Sequence, residues 1–129
     1  MKTVIVFLLL IFPVLVSAGE IDQNKWWGEK WSKQDYILEG TWQVIHLMDW
    51  GTTLDITRHP DKYKEMNPIL GEHPSRERVN IYMFSGALVH AGVTYILPPK
   101  YRSYFQGVTI GMSGAYVLNN LAIGLQIKF

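Results

Sequence analysis

The chain contains no cysteine among its 129 residues, so a disulfide framework and a thiolate metal site are both excluded. It also lacks an excess of charge, because its formal net charge at pH 7 is +1. Nucleic-acid binding, which needs a basic face, is therefore not indicated. No H-E-x-x-H zinc motif, nucleophile elbow or phosphate-binding glycine loop is present. The sequence therefore contains none of these motifs in support of a catalytic assignment.

Apolar residues are instead concentrated in long blocks that contain no Asp, Glu, Lys or Arg. These blocks cover residues 4–16, 79–97 and 103–127. About 20 apolar residues are the length at which a helix crosses a bilayer. Five tryptophans and seven tyrosines are many for this length, and several stand at the ends of the blocks, as is typical of a membrane–water boundary. The composition indicates a membrane protein.

The first apolar block predicts an export signal. A lysine precedes it, and Val16-Ser17-Ala18 suits cleavage by signal peptidase after Ala18. The block is too short for a comfortable membrane-spanning helix. Retention as an uncleaved anchor is the alternative. Either interpretation predicts export to or through the bacterial inner membrane.

The segment 35–58 predicts a helix with an unusual distribution of polarity. At about 100° per residue, one narrow stripe collects Glu39, Gln43, His46, Asp49 and Thr53, and mostly apolar residues occupy the rest of the circumference. A water-facing helix usually has a broad polar face and a confined apolar one. We therefore expect this helix to lie in lipid or in a helix bundle, with its polar stripe turned inward.

The predicted fold is all-α. A signal peptide or anchor at residues 1–18 precedes a single helical membrane domain at residues 19–129, with three transmembrane helices at about 35–58, 79–97 and 103–125. A β-barrel, suggested by the alternating residues 125–129, is disfavoured because a barrel needs about eight or more alternating strands.

The distribution of basic residues predicts the orientation of this bundle. The loop 58–78 is the more basic connection, and we expect it in the cytoplasm, with the 98–102 turn in the periplasm. The loop contains Arg58, Lys62, Lys64, Arg76 and Arg78, against Lys100 and Arg102 in the turn. The predicted location is the bacterial inner membrane, and the outer membrane is disfavoured.

Four ionisable residues are expected inside the bundle: Glu39, His46 and Asp49 on the first helix and His90 on the second. Ionisable groups at membrane depth are costly, so a functional role is a natural hypothesis. His46 and Asp49 are spaced i, i+3, which allows both to meet one metal ion. The catalytic hypothesis assigns acid–base chemistry to all four residues, with His46 and Asp49 as metal ligands.

The alternative hypothesis, which we favour, is that these groups serve helix packing. They would hydrogen-bond to one another and to a second polar stripe on the third helix, formed by Thr109, Ser113, Tyr116 and Asn120. The small-residue pairs Gly107/Gly111 and Ala87/Ala91 are expected to let helices approach closely.

The loop after the first helix has the most distinctive sequence of the chain. Residues 49–55, DWGTTLD, and residues 65–75, with the pattern E-x-N-P-x-L-G-x-H-P-S, resemble a group of small uncharacterised membrane proteins encoded by bacteriophages and prophages. The resemblance covers roughly residues 40–125. It implies a small phage-type protein of the bacterial envelope, and it implies no activity and no functional residue. Within the loop, Glu65, Asn67 and His73 are expected either to cap helix ends or to close the mouth of the polar interior.

The sequence thus predicts a non-enzymatic integral membrane protein that acts through helix packing and partners, in lysis, exclusion of competing phage or modification of the envelope. Its expected partners are the lipid bilayer and either further copies of itself or other envelope proteins; nucleic acid is not expected. One alternative is an intramembrane enzyme or metal site acting on lipid or cell-wall precursors through Glu39, His46, Asp49 and His90. Another is a structural protein of the envelope or the virion.

Overall fold

The computed structural model describes residues 29–129, so the predicted signal or anchor at residues 1–18 lies outside the described residues. Within this range the chain forms three helices and no strand: α1 at Lys33–Arg58, α2 at Arg76–Ile96 and α3 at Pro99–Ala122. The all-helical prediction is confirmed for this part of the chain. Helix α1 packs extensively against both α3 and α2, which touch each other less. The central element is therefore α1.

Each helix begins a few residues earlier than predicted, and capping explains why. At the start of α1, the Asp35 backbone N–H donates to Ser32 Oγ at 3.1 Å, and the Ser32 backbone N–H donates to the Asp35 carboxylate at 2.8 Å. This capping box satisfies two donors that a helix start leaves free. Ser75 caps α2 by accepting from the Arg78 backbone N–H. Pro99 is the first residue of α3, where a backbone N–H would have no partner within the helix, so proline loses no hydrogen bond there.

The loop 59–75 is organised by Asn67. Its carbonyl accepts from the backbone N–H groups of Leu70 and Gly71 at 3.1 and 3.0 Å, and its side-chain amide donates to the Tyr82 hydroxyl at 2.8 Å. Gly71 has a φ of +81°, in the left-handed region that glycine adopts most easily. Leu70 is thereby placed in the apolar core, which is formed by Leu54, Leu70, Val79 and Met83.

The C-terminal tail, residues 123–129, folds back along the second half of α1. The Lys128 backbone N–H donates to the Gly51 carbonyl at 3.3 Å, and the Gln126 backbone N–H donates to the Asp55 carboxylate at 3.0 Å. Leu125 is buried, and so is Asp55. The tail is therefore packed against α1 as part of the fold.

Gly51 is expected to be necessary for docking of this tail. A Cβ atom there would lie 2.6 Å from Ile127 Cγ2 and 3.2 Å from the Lys128 backbone nitrogen. We expect Gly51→Ala to lower the free energy of unfolding by about 1–3 kcal/mol, as overpacking does in well-packed sites. Thermal unfolding of the purified protein measures the effect. Gly111→Ala is the matched control, because a Cβ there meets no atom within 4 Å; equal melting of the two variants would contradict tail docking.

The distribution of polarity is inverted relative to that of a water-soluble bundle. More polar and charged side chains than apolar ones are buried in residues 29–129. Large apolar side chains point outward along all three helices, for example Val44 on α1, Leu88 on α2 and Leu118 on α3. By length and composition alone, one of the three described helices, α2, is apolar enough to cross a membrane, and 22 % of its most apolar stretch is buried inside the protein.

Candidate functional site

The polar interior begins near the start of α1 with an ion pair between Asp35 and Arg102. Arg102 Nη1 donates to the Asp35 carboxylate at 3.1 Å, and the guanidinium is completely buried. Arg102 Nε and Nη2 donate to the carbonyls of Thr94 and Leu97, both at 3.0 Å. Arg102 thus joins the first turn of α1 to the end of α2 and the start of α3. Because it is buried, Arg102 does not contribute an exposed charge beside Lys100, and the predicted 98–102 turn contains the first four residues of α3.

One turn further along α1, Glu39 and His90 form a second buried pair. His90 Nδ1 lies 3.1 Å from Glu39 Oε1, and His90 Nε2 lies 2.8 Å from Thr109 Oγ1. The contact therefore joins α1, α2 and α3 through one imidazole ring. The Glu39 carboxylate also accepts hydrogen bonds from the side chains of Gln43, Thr94 and Gln106, at 2.9, 3.0 and 3.4 Å.

Aromatic rings cover this pair. The Trp42 indole stacks on the His90 ring with centroids 3.5 Å apart and an angle of 4° between the planes, and Phe105 stacks on His90 at 4.8 Å. Trp42 also stacks on His46 at 4.6 Å. His46 Nε2 lies 2.8 Å from the Met83 carbonyl, and since a carbonyl only accepts, this nitrogen carries a proton. His46 is therefore linked to the Glu39–His90 pair through the indole and not by a hydrogen bond.

Asp49 belongs to a separate polar group nearer the 59–75 loop. Asn120 Nδ2 donates to Asp49 Oδ1 at 3.2 Å and to Thr52 Oγ1 at 3.0 Å. Glu65, from the loop, lies close enough for its charge to act on Asp49. Burial raises the pKa of Glu65, and hydrogen bonds from the Asn67 backbone and the Thr53 side chain partly oppose this. Glu65 and Asn67 thus close this end of the interior, whereas His73 is exposed.

The predicted site residues consequently separate into two groups. Glu39 and His90 are in direct contact, His46 lies beside them, and Asp49 is bonded to α3 elsewhere. Across residues 29–129, no group of three or more His, Asp or Glu side chains is arranged to hold a metal ion. The His46–Asp49 metal pair stays a prediction, and each member is already bonded to a different partner.

The second polar stripe is correct in three of its four members. Thr109 and Asn120 make the contacts described above, and Ser113 Oγ accepts from Trp42 Nε1 at 3.2 Å. Tyr116 does not belong to the stripe, because 51 % of it is exposed. Val117 lies four residues after Ser113 and therefore on the same helix face, and it is buried there.

The expected close approach at Gly107 and Gly111 is wrong within the described chain. A Cβ at either position would meet no atom within 4 Å. Gly86 on α2 instead faces α1, where a Cβ would lie in van der Waals contact with the His46 ring, 3.4 Å from Cε1. A small residue on α2 therefore makes room for the imidazole of α1.

Sequence reasoning missed Asp35, Thr94, Arg102 and Gln106. A signal for two of them was present, because Arg102, Gln106 and Thr109 follow the i, i+4, i+7 spacing of one helix face. Placing the start of the third helix at residue 103 left Arg102 outside it. The helix in fact begins at Pro99, after the N-cap Pro98, which extends α3 by about one turn and brings Arg102 onto the inward face.

Comparisons with known protein families, curated proteins and solved structures found no match for this chain. Function must therefore be argued from the contacts of the chain itself.

Proposed function

We propose that this chain is a small integral membrane protein of the bacterial envelope, of phage type and without enzymatic activity, in which all three helices cross the bilayer around a polar core. The inverted polarity of residues 29–129 carries this proposal. A water-soluble protein rarely buries more polar and charged side chains than apolar ones. In a bilayer the exterior of a protein must be apolar, and the polar groups inside need partners within the protein.

Helices α1 and α3 are less apolar in composition than α2, and the reason supports their membrane location. Many of their polar residues face inward: Asp35, Glu39 and His46 on α1, and Arg102, Gln106 and Thr109 on α3, are all buried. Their outward faces are rich in large apolar side chains, among them Ile37, Val44 and Leu47 on α1 and Val108, Leu118 and Leu121 on α3. The average over a helix hides this separation of faces.

A packing role for the polar core is supported by hydrogen bonds that join its members across the three helices. Both oxygens of Glu39 and both ring nitrogens of His90 have partners, and these partners come from three helices. Buried hydrogen-bond networks that span several helices hold those helices in one arrangement; in this network Gln106 Oε1 is the buried atom without a partner among the described residues. The function would then lie in the assembled bundle and its partners, in lysis, exclusion of other phage or modification of the envelope. The outward-facing Gly107 and Gly111 leave room for a second copy to approach.

A second candidate function, an intramembrane enzyme acting on lipid or cell-wall precursors, is favoured by one observation. Glu39, His90 and Thr109 are joined in the order carboxylate, imidazole, hydroxyl, which is the order of nucleophilic triads. Against this, Thr109 Oγ1 lies 2.9 and 3.0 Å from the carbonyls of Phe105 and Gln106 in its own helix. Backbone N–H groups inside a helix are also not free to stabilise an oxyanion. We therefore rank catalysis second.

Cysteine labelling tests the three-span proposal, since the chain has no cysteine of its own. The variants are Met66→Cys in the loop, Lys100→Cys at the start of α3, and Val44→Cys and Val108→Cys near the middles of α1 and α3. In spheroplasts we expect a membrane-impermeant maleimide to label Lys100→Cys at once and Met66→Cys only after permeabilisation. The two mid-helix variants should react only after denaturation.

The decisive comparison is between Val44→Cys and Met66→Cys. Their parent side chains are 57 % and 86 % exposed in the isolated chain, so in water both would react readily. Rapid labelling of Val44→Cys in intact membranes would reject α1 as a membrane span, and release of the whole chain by carbonate washing would reject the membrane proposal.

A further inference from the structure

An open apolar groove lies on the outside of the bundle, beside the first turns of α2. It encloses about 510 Å³, and it is lined mainly by Trp50 of α1, by Arg76, Asn80, Ile81 and Phe84 of α2, and by Phe129 of the tail. Ile81, Phe84 and Phe129 are each more than half exposed. The groove thus presents an apolar floor with one charged residue, Arg76, at its end.

Arg76 differs from the other arginines in having no partner. The guanidinium groups of Arg58, Arg78 and Arg102 donate to main-chain or carboxylate oxygens, whereas the Arg76 side chain makes no hydrogen bond or ion pair within residues 29–129. The main-chain oxygen of the C-terminal Phe129 is held by Arg58 at 2.9 Å. The positive charge of Arg76 is therefore left for a ligand.

Asn80 adds a second donor one turn further along α2. Its Oδ1 accepts from Trp50 Nε1 at 2.8 Å, which fixes the orientation of the amide. Because the oxygen is used, the amide NH₂ is the end of Asn80 that can donate to a ligand. A cation and a neutral donor, one turn apart, suit the oxygens of a phosphate diester.

The direction of the groove matches that of a lipid. Arg76 is the first residue of α2, and Phe84 lies eight residues later, which is about 12 Å along the helix axis. In the membrane arrangement proposed above, with α2 spanning the bilayer, Arg76 lies at the headgroup level and Phe84 at the level of the acyl chains.

We propose that this groove binds an anionic phospholipid, with the headgroup phosphate at Arg76 and Asn80 and one acyl chain along Ile81, Phe84 and Phe129. The proposal rests on the membrane location proposed above. An anionic lipid is favoured over a zwitterionic one because the groove contains an unpaired positive charge and no carboxylate side chain to pair with a headgroup amine.

Native mass spectrometry of the full chain in detergent tests the site, with phosphatidylglycerol and phosphatidylcholine of the same acyl chains as probes. We expect phosphatidylglycerol to bind preferentially and Arg76→Gln to weaken its binding about tenfold or more, as loss of a charge-assisted hydrogen bond does. Arg78→Gln removes the same charge two residues away, outside the groove, and should change binding less than about twofold. Melting of each variant identifies any effect due to misfolding.

Three outcomes overturn the lipid site: equal binding of the two lipids, equal effects of Arg76→Gln and Arg78→Gln, or a dimer without bound lipid that Phe84→Ser dissociates. The last would assign the groove to a second copy of the chain.

Phosphatidylglycerol with six-carbon acyl chains should bind more weakly than the long-chain lipid; equal binding would remove the acyl chain from the proposal. Cysteine labelling of α1 and α3 is independent of Arg76, so failure here with protected mid-helix cysteines rejects the lipid site alone.

Discussion

Asp35→Ala is expected to lower the free energy of unfolding by about 3–5 kcal/mol, because it leaves the Arg102 guanidinium buried without its counter-charge. Arg102 is completely buried, and its remaining partners, the carbonyls of Thr94 and Leu97, do not neutralise it. Unfolding in detergent and the amount of protein in the membrane both measure the effect. This is one of the two largest losses that we expect from any single substitution.

Two further variants separate the ion pair from the helix cap. Ser32→Ala breaks the capping box but leaves Asp35 and Arg102 paired, and it should cost about 0.5–2 kcal/mol. The double variant Asp35→Ala/Arg102→Met should recover much of the loss, since apolar replacements of a buried ion pair are often neutral or stabilising. If Asp35→Ala costs no more than Ser32→Ala, the buried pair does not contribute as the structure indicates.

The second large effect is expected from His90→Ala, at about 3–5 kcal/mol. The substitution removes the ring that stacks on Trp42 and leaves a cavity between helices. It also removes the partner of the Glu39 carboxylate at 3.1 Å, which stays buried. Thermal melting in detergent measures the loss. His73→Ala is the control, because His73 is exposed and surface substitutions change stability by less than about 0.5 kcal/mol.

Thr109→Val decides between packing and catalysis at the same site. Valine keeps the shape of threonine but removes the hydroxyl that contacts His90 Nε2 at 2.8 Å. If the core serves packing, melting should fall by the equivalent of about 1–3 kcal/mol, because a buried ring nitrogen loses its partner. Any growth phenotype should then follow the amount of folded protein. Unchanged melting and membrane level with complete loss of the phenotype would move the assignment to an enzyme.

The same comparison extends to the residues of the catalytic hypothesis. Glu39→Gln, His46→Ala and Asp49→Ala should each reduce melting if all of them serve packing. His46 and Asp49 have separate partners, so their effects should be nearly additive. Strong coupling between His46→Ala and Asp49→Ala would instead support the predicted metal pair, since two ligands of one ion act together.

The sequence by itself determined the helices and the inward stripe of α1. These depend on the spacing of polar residues at 3.6 residues per turn, which is a local property of the chain. Glu39 and His46 were predicted to face inward, and both are buried. The starts of α1 and α3 were less well determined, because Ser32 and Pro98 are recognised as N-caps only once the helix they begin is known.

Only the tertiary structure decided which polar groups meet. Glu39 and His90 are 51 residues apart, and Asp35 and Arg102 are 67 apart, so their pairing depends on how α1, α2 and α3 are rotated and shifted against one another. His46 and Asp49 lie on one helix face, yet they contact different helices, because α2 faces His46 and α3 faces Asp49. The docking of the tail at Gly51 has the same origin: it requires two segments that are distant in sequence to fit together in space.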